Sequence, residues 1–510
     1  MMARRTTRGG GVLPRRAFLQ GGTLTVLGGP ALANAPARSI RPETRGENDP
    51  LIALRRAVRS AEELIREADL GGQVGFAVAD ARTGLVLESR AAGQLYPPAS
   101  VAKAITALYA LDALGAGYRF TTRLVATGPL RNGILEGDLV LAGGGDPLLD
   151  TDALGDMAGA LKRAGMRGVR GGFLVYDGAL PRIRAIDPGQ PDHLGYNPAI
   201  SGLNLNFNRV HFEWKRGGQG YSIAMEARAR RYRPAVHMAR MRVVNRDQPI
   251  YTYAEADNED RWTVARRALG KGGSRWLPVR RPGVYAAEVF QTLAAAEGIR
   301  LPPAAFVPQL PSGGRALVVH QSAPLHDILR DLLKYSTNLT AEVVGLAASR
   351  ARGLAVGDLG SSAGEMTRWL DRRIGGVGSH FVDHSGLGEA SRATVNDLLR
   401  ALIHEGPGST LAGLLKRIPL RDGRGKEIRN HPVEVRAKTG TLNFVSTLAG
   451  FIFTPDGSEL AFAILASDMP RRARIARADR ETAPGARGWN KRARRLQQGL
   501  IERWVGLYGL

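Results

Sequence analysis

Three short polar clusters, far apart along the chain, carry the side chains that could do chemistry. In the first, Ser100 could act as a nucleophile, and Lys103 follows three positions later, so a helix would place both on one face. A serine hydroxyl needs an adjacent base at neutral pH, and an uncharged Lys103 amine could be that base. The second cluster offers Ser336 and Asn338 in a predicted extended turn, and the third offers Lys438. These groups predict attack of Ser100 on a carbonyl carbon, with the other side chains carrying protons and holding the substrate.

The third cluster, Lys438-Thr439-Gly440-Thr441, lies on a predicted strand and suits the end of a substrate. Lys438 and the hydroxyls of Thr439 and Thr441 could bind a terminal carboxylate. Gly440 has no side chain, which would let a substrate backbone approach the strand closely. The main-chain N–H groups of Ser100 and Thr441 could form an oxyanion hole for the charge that develops on the attacked carbonyl oxygen.

The choice of lysine at these positions is itself informative. Only nine of the 71 Lys and Arg residues are lysines, and Lys103, Lys334 and Lys438 lie in or beside the clusters. Arginine cannot lose its proton in a protein, whereas a buried lysine can lower its pKa and act as a base. We expect burial or nearby cations to lower the pKa of Lys103, and Lys438 and Lys334 are the candidate cations.

The elements that must position the clusters follow from periodicity. An amphipathic helix is predicted over residues 51–70, and residues 74–80 and 85–89 are predicted to be strands. Ser100 opens a predicted helix that ends at residue 114, and a helix over residues 325–333 leads to the second cluster. Three further strands are predicted over residues 433–442, 445–453 and 460–467.

This order predicts one domain that is split by an insertion. Residues 36–117 and 316–510 would form its two parts, an antiparallel sheet flanked by helices in an α/β (α+β) fold. Residues 118–315 would form two nested inserted domains. The insertion is expected to be rich in strands, because residues 202–256 alternate between apolar and polar positions.

The composition excludes several classes of protein. Hydrophobic residues make up 44% and charged residues 23% of the 510 residues, as in ordinary globular proteins. The chain contains no cysteine, which excludes disulfides, cysteine zinc sites and a lipid anchor on cysteine. It has no phosphate-binding GxxxxGK[ST] motif and no apolar run of the ~20 residues that a membrane span needs. No cofactor and no metal ion are expected.

The formal net charge of +24 attracts polyanions in general. Nucleic acid is not expected as a partner, because the sequence has no zinc-finger spacing, no aromatic RNA-binding strand pattern and no evident basic recognition helix. For an exported protein the charge favours weak association with an anionic wall polymer or a membrane surface.

The first 35 residues are typical of an export signal. Arg15 and Arg16 precede a mildly apolar, glycine-rich stretch, and small residues at Ala31, Ala33 and Ala35 suit cleavage. The segment resembles a twin-arginine signal, which predicts a signal peptide over residues 1–35 and a periplasmic or extracytoplasmic protein. A disordered basic arm and an uncleaved anchor are the alternatives.

The three clusters together form the S-x-x-K, S-x-N and K-T-G set of penicillin-recognising serine enzymes. From about residue 50 onwards the chain resembles the D-alanyl-D-alanine carboxypeptidases/endopeptidases of the class C low-molecular-mass penicillin-binding proteins. The long separation between Ser100 and Ser336 matches this family, which fills that interval with inserted domains. Residues 137–147, 201–204 and 320–325, together with Glu342, are also similar to it. Residues 383–387 resemble the family's Asp-Gly-Ser-Gly-Leu, except that His384 replaces the usual glycine.

The resemblance implies a penicillin-binding transpeptidase-like domain and an acyl-enzyme on Ser100. Peptidoglycan stem peptides would be the substrate, their D-Ala-D-Ala bond would be hydrolysed, and β-lactams would be inhibitors that acylate the same serine. Lys103, Ser336, Asn338 and Lys438 would be the other catalytic residues. Three alternatives stay open: a β-lactamase or esterase on the same catalytic frame, a non-catalytic wall-binding relative, and a basic nucleic-acid-binding protein.

Overall fold

The structure is a computed structural model that describes residues 58–256, 258–422 and 425–509. The predicted signal over residues 1–35 and the beginning of the predicted helix 51–70 lie outside the described residues. Within the described ranges, no helix combines the length and the apolar composition that crossing a membrane would require.

The described part of the chain contains eleven α-helices. In chain order they are α1 (Ala61–Ala68), α2 (Ala102–Leu114), α3 (Thr151–Arg163), α4 (Pro282–Ala296), α5 (Leu325–Tyr335), α6 (Asn338–Ala351), α7 (Leu359–Ile374), α8 (Val395–Glu405), α9 (Thr410–Leu414), α10 (Met469–Ala473) and α11 (Ala486–Tyr508). The helices predicted after Ser100 and over residues 325–333 are confirmed as α2 and α5.

Twenty strands accompany these helices in the same described ranges. They are β1 (Gln73–Asp80), β2 (Val86–Arg90), β3 (Thr121–Ala126), β4 (Leu130–Arg131), β5 (Ile134–Leu135), β6 (Leu139–Gly143), β7 (Gly168–Val169), β8 (Phe173–Tyr176), β9 (Arg209–Gly217), β10 (Gly220–Glu226), β11 (Ala239–Val244), β12 (Tyr251–Ala256), β13 (Glu259–Ala265), β14 (Gly272–Pro278), β15 (Ala304–Phe306), β16 (Arg315–Gln321), β17 (Lys416–Arg417), β18 (Glu434–Leu442), β19 (Val445–Phe453) and β20 (Glu459–Ser467).

Helix α1 is shorter than the apolar spacing predicted. It begins only after Ser60, whose hydroxyl oxygen accepts the N–H of Glu63 while the Glu63 carboxylate accepts the N–H of Ser60. This reciprocal capping satisfies two main-chain donors and fixes the first turn at this point. The prediction of a helix through residues 58–60 is therefore wrong.

The largest sheet joins strands from both ends of the described chain. Its six strands run in the order β17–β18–β19–β20–β1–β2, and every neighbouring pair is antiparallel. The strands predicted over residues 433–442, 445–453 and 460–467 are confirmed as β18, β19 and β20 to within one residue at each end.

Both faces of this sheet are covered, which explains why β19 and β20 are apolar almost throughout. On one face Trp504 of α11 packs against Phe76 and Phe462, with ring centroids 5.9 Å apart in each pair. The other face carries Ala463 and Leu465, which belong to the same buried core as helices α2, α6 and α8. Burial on both faces removes the need for alternating polar residues.

Residues between α2 and α5 form four other sheets. Their strand orders are β15–β8–β6–β3–β16, β10–β9–β14, β11–β13–β12 and β4–β5–β7. Strand β16 pairs with β3, so the five-stranded sheet continues to Gln321. From this strand order we propose an insertion into a split domain, with its second boundary near residue 322 rather than at residue 315.

Candidate active site

The first cluster forms a tight turn at the start of helix α2. Ser100 lies in a single 3₁₀ turn, Ala99–Val101, that runs directly into the helix. Ala99 adopts the left-handed conformation with φ of 45°, which is rare for a residue with a side chain. Its carbonyl oxygen would lie 1.8 Å from a Cβ atom on Gly386, so only glycine fits beneath this turn. The surrounding structure thus holds Ser100 in a strained but defined position.

Lys103 is fully buried, and its amine touches three oxygen atoms. Lys103 Nζ lies 2.9 Å from Ser100 Oγ, 2.8 Å from Asn338 Oδ1 and 2.7 Å from the carbonyl oxygen of Ser385. The amide of Asn338 is oriented by its Nδ2, which donates to the carbonyl oxygen of Tyr196 at 3.0 Å. A neutral amine has two N–H groups and one lone pair, and two of the three oxygens can only accept. The lone pair is therefore left for the hydroxyl of Ser100, which becomes the donor.

Burial lowers the pKa of Lys103 to about 8, because the charged ammonium loses its hydration. The carboxylates of Glu342 and Asp383 oppose this shift. Glu342 is also fully buried, and burial raises its pKa to about 8. Its two oxygens accept the main-chain N–H groups of His384 and Ser385, each at 2.9 Å. The base thus titrates together with a buried acid beneath the cleft.

The sequence assigned the lowering of this pKa partly to two other lysines, and for Lys334 the assignment is wrong. Lys334 is exposed and lies over the ring of Tyr335, 5.0 Å from its centroid, so it faces solvent near the end of α5. Loss of hydration is the main cause of the shift at Lys103, and the two carboxylates oppose it.

Lys438 and Ser336 form a second pair of proton-carrying groups. Lys438 Nζ lies 3.0 Å from Ser336 Oγ and donates to the carbonyl oxygen of Thr439 at 2.7 Å. Burial lowers the pKa of Lys438 well below its usual value, and the positive charges of Lys103 and Lys416 add to this effect. Two buried lysines therefore flank the nucleophile, and each touches a serine hydroxyl.

Ser336 and Asn338 do not share one side of an extended turn, so that prediction is wrong. Ser336 ends α5 in the left-handed conformation with φ of 61°, and Asn338 is the first residue of α6. This change of direction sends the hydroxyl to Lys438 and the amide to Lys103. The second cluster thus connects the two lysines instead of acting as one unit.

These side chains meet in a cleft of about 430 Å³. Its lining includes one or more residues from each of the three clusters, namely Ser100, Ser336, Asn338, Thr439 and Thr441. Gly440 is buried and faces the protein. A Cβ atom there would lie 2.1 Å from Thr447 Oγ1 and 2.9 Å from the main-chain nitrogen of Ser100. The glycine is therefore needed for close packing of β18 against the nucleophile turn.

The rim of the cleft includes residues that the sequence analysis missed. Gln190 and Tyr196 come from the region between α2 and α5, while Arg472, Arg480 and Glu481 come from the segment after β20. Arg480 donates to the carbonyl oxygen of Gly189 at 2.9 Å, which ties the two rims together. No local pattern marks these residues, because their proximity arises only from the tertiary fold.

His384 lies behind the cleft. Its ring stacks on Tyr109 with 6.2 Å between centroids, and its Nε2 lies 2.8 Å from the hydroxyl oxygen of Ser362. Burial lowers the pKa of His384 to about 3, so the ring is neutral. A Cβ atom on Gly345 of α6 would lie 2.2 Å from this ring. Gly345, which has no side chain, thus leaves room for the imidazole of His384.

One group of side chains in the described structure has the composition of a metal site. His211, Glu213 and Glu226, on the paired strands β9 and β10, have ligand atoms within 4.8 Å of one another. The guanidinium of Arg228 already donates to Glu213 at 2.6 Å and to Glu226 at 2.8 Å. A positive charge therefore occupies this position without an ion, and the group lies outside the cleft.

Residues 57–483 match the D-Ala-D-Ala carboxypeptidase 3 (S13) family. The chain belongs to this family. It is 26% identical over 429 residues to the D-alanyl-D-alanine carboxypeptidase DacB of Haemophilus influenzae, which covers 79% of this chain and 87% of the relative. It is 27% identical over 492 residues to the D-alanyl-D-alanine carboxypeptidase of Actinomadura sp., which covers 87% of this chain and 84% of the relative.

A solved structure supports the fold independently. The crystal structure of penicillin binding protein 4 from Haemophilus influenzae matches with a TM-score of 0.68 at 20% identity, covering 85% of this chain and 98% of that chain. The predicted fold class, a penicillin-binding transpeptidase-like domain with insertions, is confirmed. Family membership confirms the predicted enzyme class as well: the peptidase is a serine DD-peptidase that acts on peptidoglycan.

Proposed function

We propose that this peptidase cleaves the D-Ala-D-Ala bond through an ester on Ser100, with Lys103 as the general base. The observation that carries the proposal is the distance of 2.9 Å from Lys103 Nζ to Ser100 Oγ, with Asn338 Oδ1 and the Ser385 carbonyl oxygen as fixed acceptors for the other two directions. Because the pKa of Lys103 is lowered to about 8, part of the amine is neutral near pH 7 and can accept a proton.

The proposed reaction has two steps. The Ser100 oxygen attacks the carbonyl carbon of the penultimate D-alanine while its proton passes to Lys103. The C–N bond then breaks, and the leaving amine takes a proton from the Ser336 hydroxyl. Lys438 protonates Ser336 again, and the proton held by Lys103 passes back to Lys438, so both lysines regain their starting states before the second step. In the second step water attacks the ester and gives a proton to Lys103, and the Ser100 oxygen leaves and is protonated again. The peptide departs with a new terminal carboxylate.

We further propose that β18 binds the substrate. Strand β17 pairs only with residues 436 and 437 of β18, so in the described structure no strand covers that edge over residues 438–442. The hydroxyls of Thr439 and Thr441, with Lys438, would bind the terminal carboxylate. The N–H groups of Ser100 and Thr441 would form the oxyanion hole, and each such donor contributes roughly 3 kcal/mol to transition-state stabilisation.

Labelling with a fluorescent penicillin tests the nucleophile. A structure of the Haemophilus influenzae relative is described as complexed with a β-lactam, which supports β-lactams as inhibitors of this peptidase too. We expect the wild-type protein to become covalently labelled and Ser100→Ala to remain unlabelled. Ser274→Ala changes an exposed serine on β14 and should label normally. Covalent labelling of Ser100→Ala would contradict the assignment.

Digestion of purified muropeptides separates the two activities that the site allows. Mass analysis that detects the loss of one alanine from pentapeptides identifies a carboxypeptidase, and conversion of cross-linked dimers to monomers identifies an endopeptidase. The cleft is bounded by residues from two regions of the chain, so we propose that both substrates enter it. If penicillin still labelled the protein but pentapeptides or cross-linked dimers were not cleaved, the proposal that both substrates enter the cleft would be contradicted.

We also propose that the peptidase acts outside the cytoplasm. The support is its family, whose substrate is the cell wall, and the twin-arginine pattern in residues 1–35. Fusion of these residues to a reporter that is active only after export should yield export that depends on Arg15 and Arg16. Weak association with an anionic wall polymer or membrane surface would follow from the charge of +24, and sedimentation with isolated walls should decrease as salt increases.

A further inference from the structure

A second pocket lies in the region between α2 and α5, outside the catalytic cleft. It has a volume of about 330 Å³ and is lined by four arginines, which are Arg182, Arg184, Arg280 and Arg281. We call it the arginine pocket. Only two carboxylates, Asp177 and Glu255, are among its described lining residues. Asp177 is paired with Arg182, Glu255 with Arg281, and Arg184 with Asp192 and Glu255, so Arg280 is the arginine of this pocket that has no paired carboxylate among the described residues.

Arg280 is the arginine whose charge is least compensated. Its residue is 5% exposed, and among the described residues no carboxylate oxygen lies within 4.0 Å of its guanidinium. Two of its nitrogens donate to neutral main-chain carbonyl groups, and its Nε has no hydrogen-bond partner. Burial lowers the pKa of this guanidinium, and the more distant carboxylates of Asp192 and Asp260 oppose this shift. Buried charges in proteins are normally paired, so an anion in the pocket would satisfy this one.

The main chain adds further positive character to the same pocket. Helix α4 begins there, since Pro282, Gly283 and Val284 line the pocket. Its N-cap residue, Arg281, makes no side-chain capping hydrogen bond, and the first helical residue is a proline. The N-terminus of a 15-residue helix carries a partial positive charge, which favours an oxyanion. The Asp177 carboxylate already lies beside Gly283 at one side of this end.

Part of the wall is apolar, which narrows the class of ligand. Ile183, Ile200 and Val284 lie beside the arginines, and Phe306 is 40% exposed there. A peptide with a free carboxylate offers both an oxyanion and aliphatic carbon atoms. A polyol phosphate of a wall polymer offers the oxyanion but has little apolar surface. The lining therefore favours a carboxylate-bearing peptide.

The arginine pocket is joined to the catalytic cleft by one loop. Ile183 and Ile200 exchange main-chain hydrogen bonds at 3.0 and 2.8 Å, which closes the loop of residues 184–199 beside the pocket. Arg280 donates to three carbonyl oxygens of this loop, at 3.0, 2.7 and 2.8 Å. The carbonyl oxygen of Tyr196, in the same loop, accepts the amide of Asn338.

We propose that the arginine pocket binds a carboxylate-bearing peptide of peptidoglycan, at a site separate from the bond that is cleaved. The carboxylate would face Arg280 and the N-terminus of α4, and the aliphatic part of the peptide would contact the apolar wall. The choice of peptidoglycan as the source rests on the proposed function, whereas the pocket and its charge do not. Such a site would hold the enzyme on its substrate while the cleft acts on a neighbouring stem.

The test measures binding of N-acetylmuramyl-L-alanyl-D-glutamate to the full-length Ser100→Ala protein by calorimetry. This fragment carries carboxylates but lacks the D-Ala-D-Ala bond, so its binding does not depend on the acyl-enzyme mechanism. Arg184→Glu reverses the charge of a half-exposed arginine of the pocket and should weaken binding at least tenfold. Val284→Trp should weaken it similarly by filling the pocket. Arg242→Glu, which changes an exposed arginine on β11, is the matched control and should bind normally.

Two results would overturn the proposal. One is saturable binding of the fragment with the same affinity in the Ser100→Ala protein and in its Arg184→Glu and Val284→Trp variants. The fragment would then bind outside the arginine pocket. The other is that the Ser100→Ala protein does not bind the fragment but binds glycerol 3-phosphate, and that Arg184→Glu abolishes this binding. That result would assign the pocket to a phosphate polymer. If Ser100→Ala bound the fragment but was still labelled by penicillin, the proposed mechanism alone would be contradicted.

Discussion

Lys103 in the catalytic cleft and Arg280 beside the arginine pocket are both buried cations that donate to main-chain carbonyl groups. The two regions hold the loops that carry those carbonyls in different ways. Near Lys103, the carboxylate of Glu342 accepts the N–H groups of His384 and Ser385, so the loop is bound by a second buried group besides the lysine. Near Arg280, the guanidinium itself connects three carbonyls of its loop. A group that must lose and regain a proton thus shares its loop with a carboxylate, while a group that never titrates itself connects the carbonyls of its loop.

The largest expected effect on the acylation rate comes from replacing the lysine of the catalytic cleft by an arginine. Lys103→Arg keeps a positive charge beside Ser100 but provides no base, because a guanidinium is not deprotonated in proteins. We expect the rate of acylation by a penicillin to fall about 10³-fold, the usual scale for loss of a general base. Stopped-flow measurement with a fluorescent β-lactam gives this rate.

Lys162→Arg is the matched control for this exchange. Lys162 is an exposed lysine on α3 that pairs with Glu297 at 2.9 Å, a bond that arginine can also make. Its acylation rate should equal that of the wild type. If Lys103→Arg kept an acylation rate within tenfold of the wild type, Lys103 would not be the base, and the contrast between the two cations would fail.

The next prediction concerns the acid that titrates with the base. Acylation needs the neutral amine, so its rate should rise with pH through the apparent pKa near 8 of the buried pair Lys103 and Glu342. The negative charge of Glu342 stabilises the ammonium form. Glu342→Gln removes that charge, so the pKa of Lys103 falls and the rise in rate should move to lower pH. Below this rise the rate changes about tenfold per pH unit, which makes the displacement measurable.

Glu62→Gln provides the reference for this pH profile, because Glu62 is an exposed acid on α1. Its profile should overlay that of the wild type. The Gln variant at position 342 can still accept one of the two loop N–H groups, so it tests the charge more than the architecture. A rise that moved to higher pH would show that Glu342 does not stabilise the ammonium form.

Features that depend on neighbouring residues could be predicted from the sequence, and features that depend on distant contacts could not. Strands β18, β19 and β20 were predictable because apolar runs bounded by turns decide them locally. The nucleophile turn was only half predictable. Spacing places Ser100 and Lys103 together, but the left-handed Ala99 and the 3₁₀ geometry depend on contacts with Gly386 and β18.

The buried carboxylates were beyond local reasoning, since their effect on Lys103 depends on contacts between distant parts of the chain. Glu342 did carry one usable signal. It follows Asn338 by four positions on α6, so both occupy one face of that helix. Lys334 shows the opposite error: it is close to Ser336 in sequence, but the turn of α5 directs it to solvent. Its proximity to Ser336 in the sequence suggested a cation beside Lys103, but the helix places the side chain in solvent instead.

A third prediction tests whether packing holds the loop beneath Lys103. Gly345→Ala would place a Cβ atom 2.2 Å from the ring of His384, and overpacking of this kind usually costs about 1–3 kcal/mol of unfolding free energy. His384→Gly removes the ring, so Gly345→Ala should cost nothing further in that background. Denaturant unfolding of the two single variants and the double variant measures this coupling.

Gly364→Ala is the control for glycine replacement in a helix. Gly364 lies within α7, and the nearest atom to an added Cβ is 3.8 Å away on a flexible side chain. Alanine should therefore stabilise the protein by up to about 1 kcal/mol. Equal destabilisation by Gly345→Ala with and without His384 would mean that the loop is not held by this contact.

The smallest expected effect on catalysis comes from the reverse exchange, Arg280→Lys. An ammonium keeps the charge, but it lacks the planar fork that reaches the carbonyls of Arg184, Asp192 and Asn197 together. The loop of residues 184–199 should then open more often, and hydrogen exchange of its amides should become faster while exchange in β19 is unchanged. Because the carbonyl of Tyr196 orients Asn338, acylation should slow by roughly threefold to tenfold, far less than for Lys103→Arg.

Arg242→Lys, an exposed exchange on β11, should alter neither measurement. If Arg280→Lys left loop exchange unchanged, Arg280 would not hold the loop, and the distinction between a titrating and a structural cation would apply to the catalytic region alone.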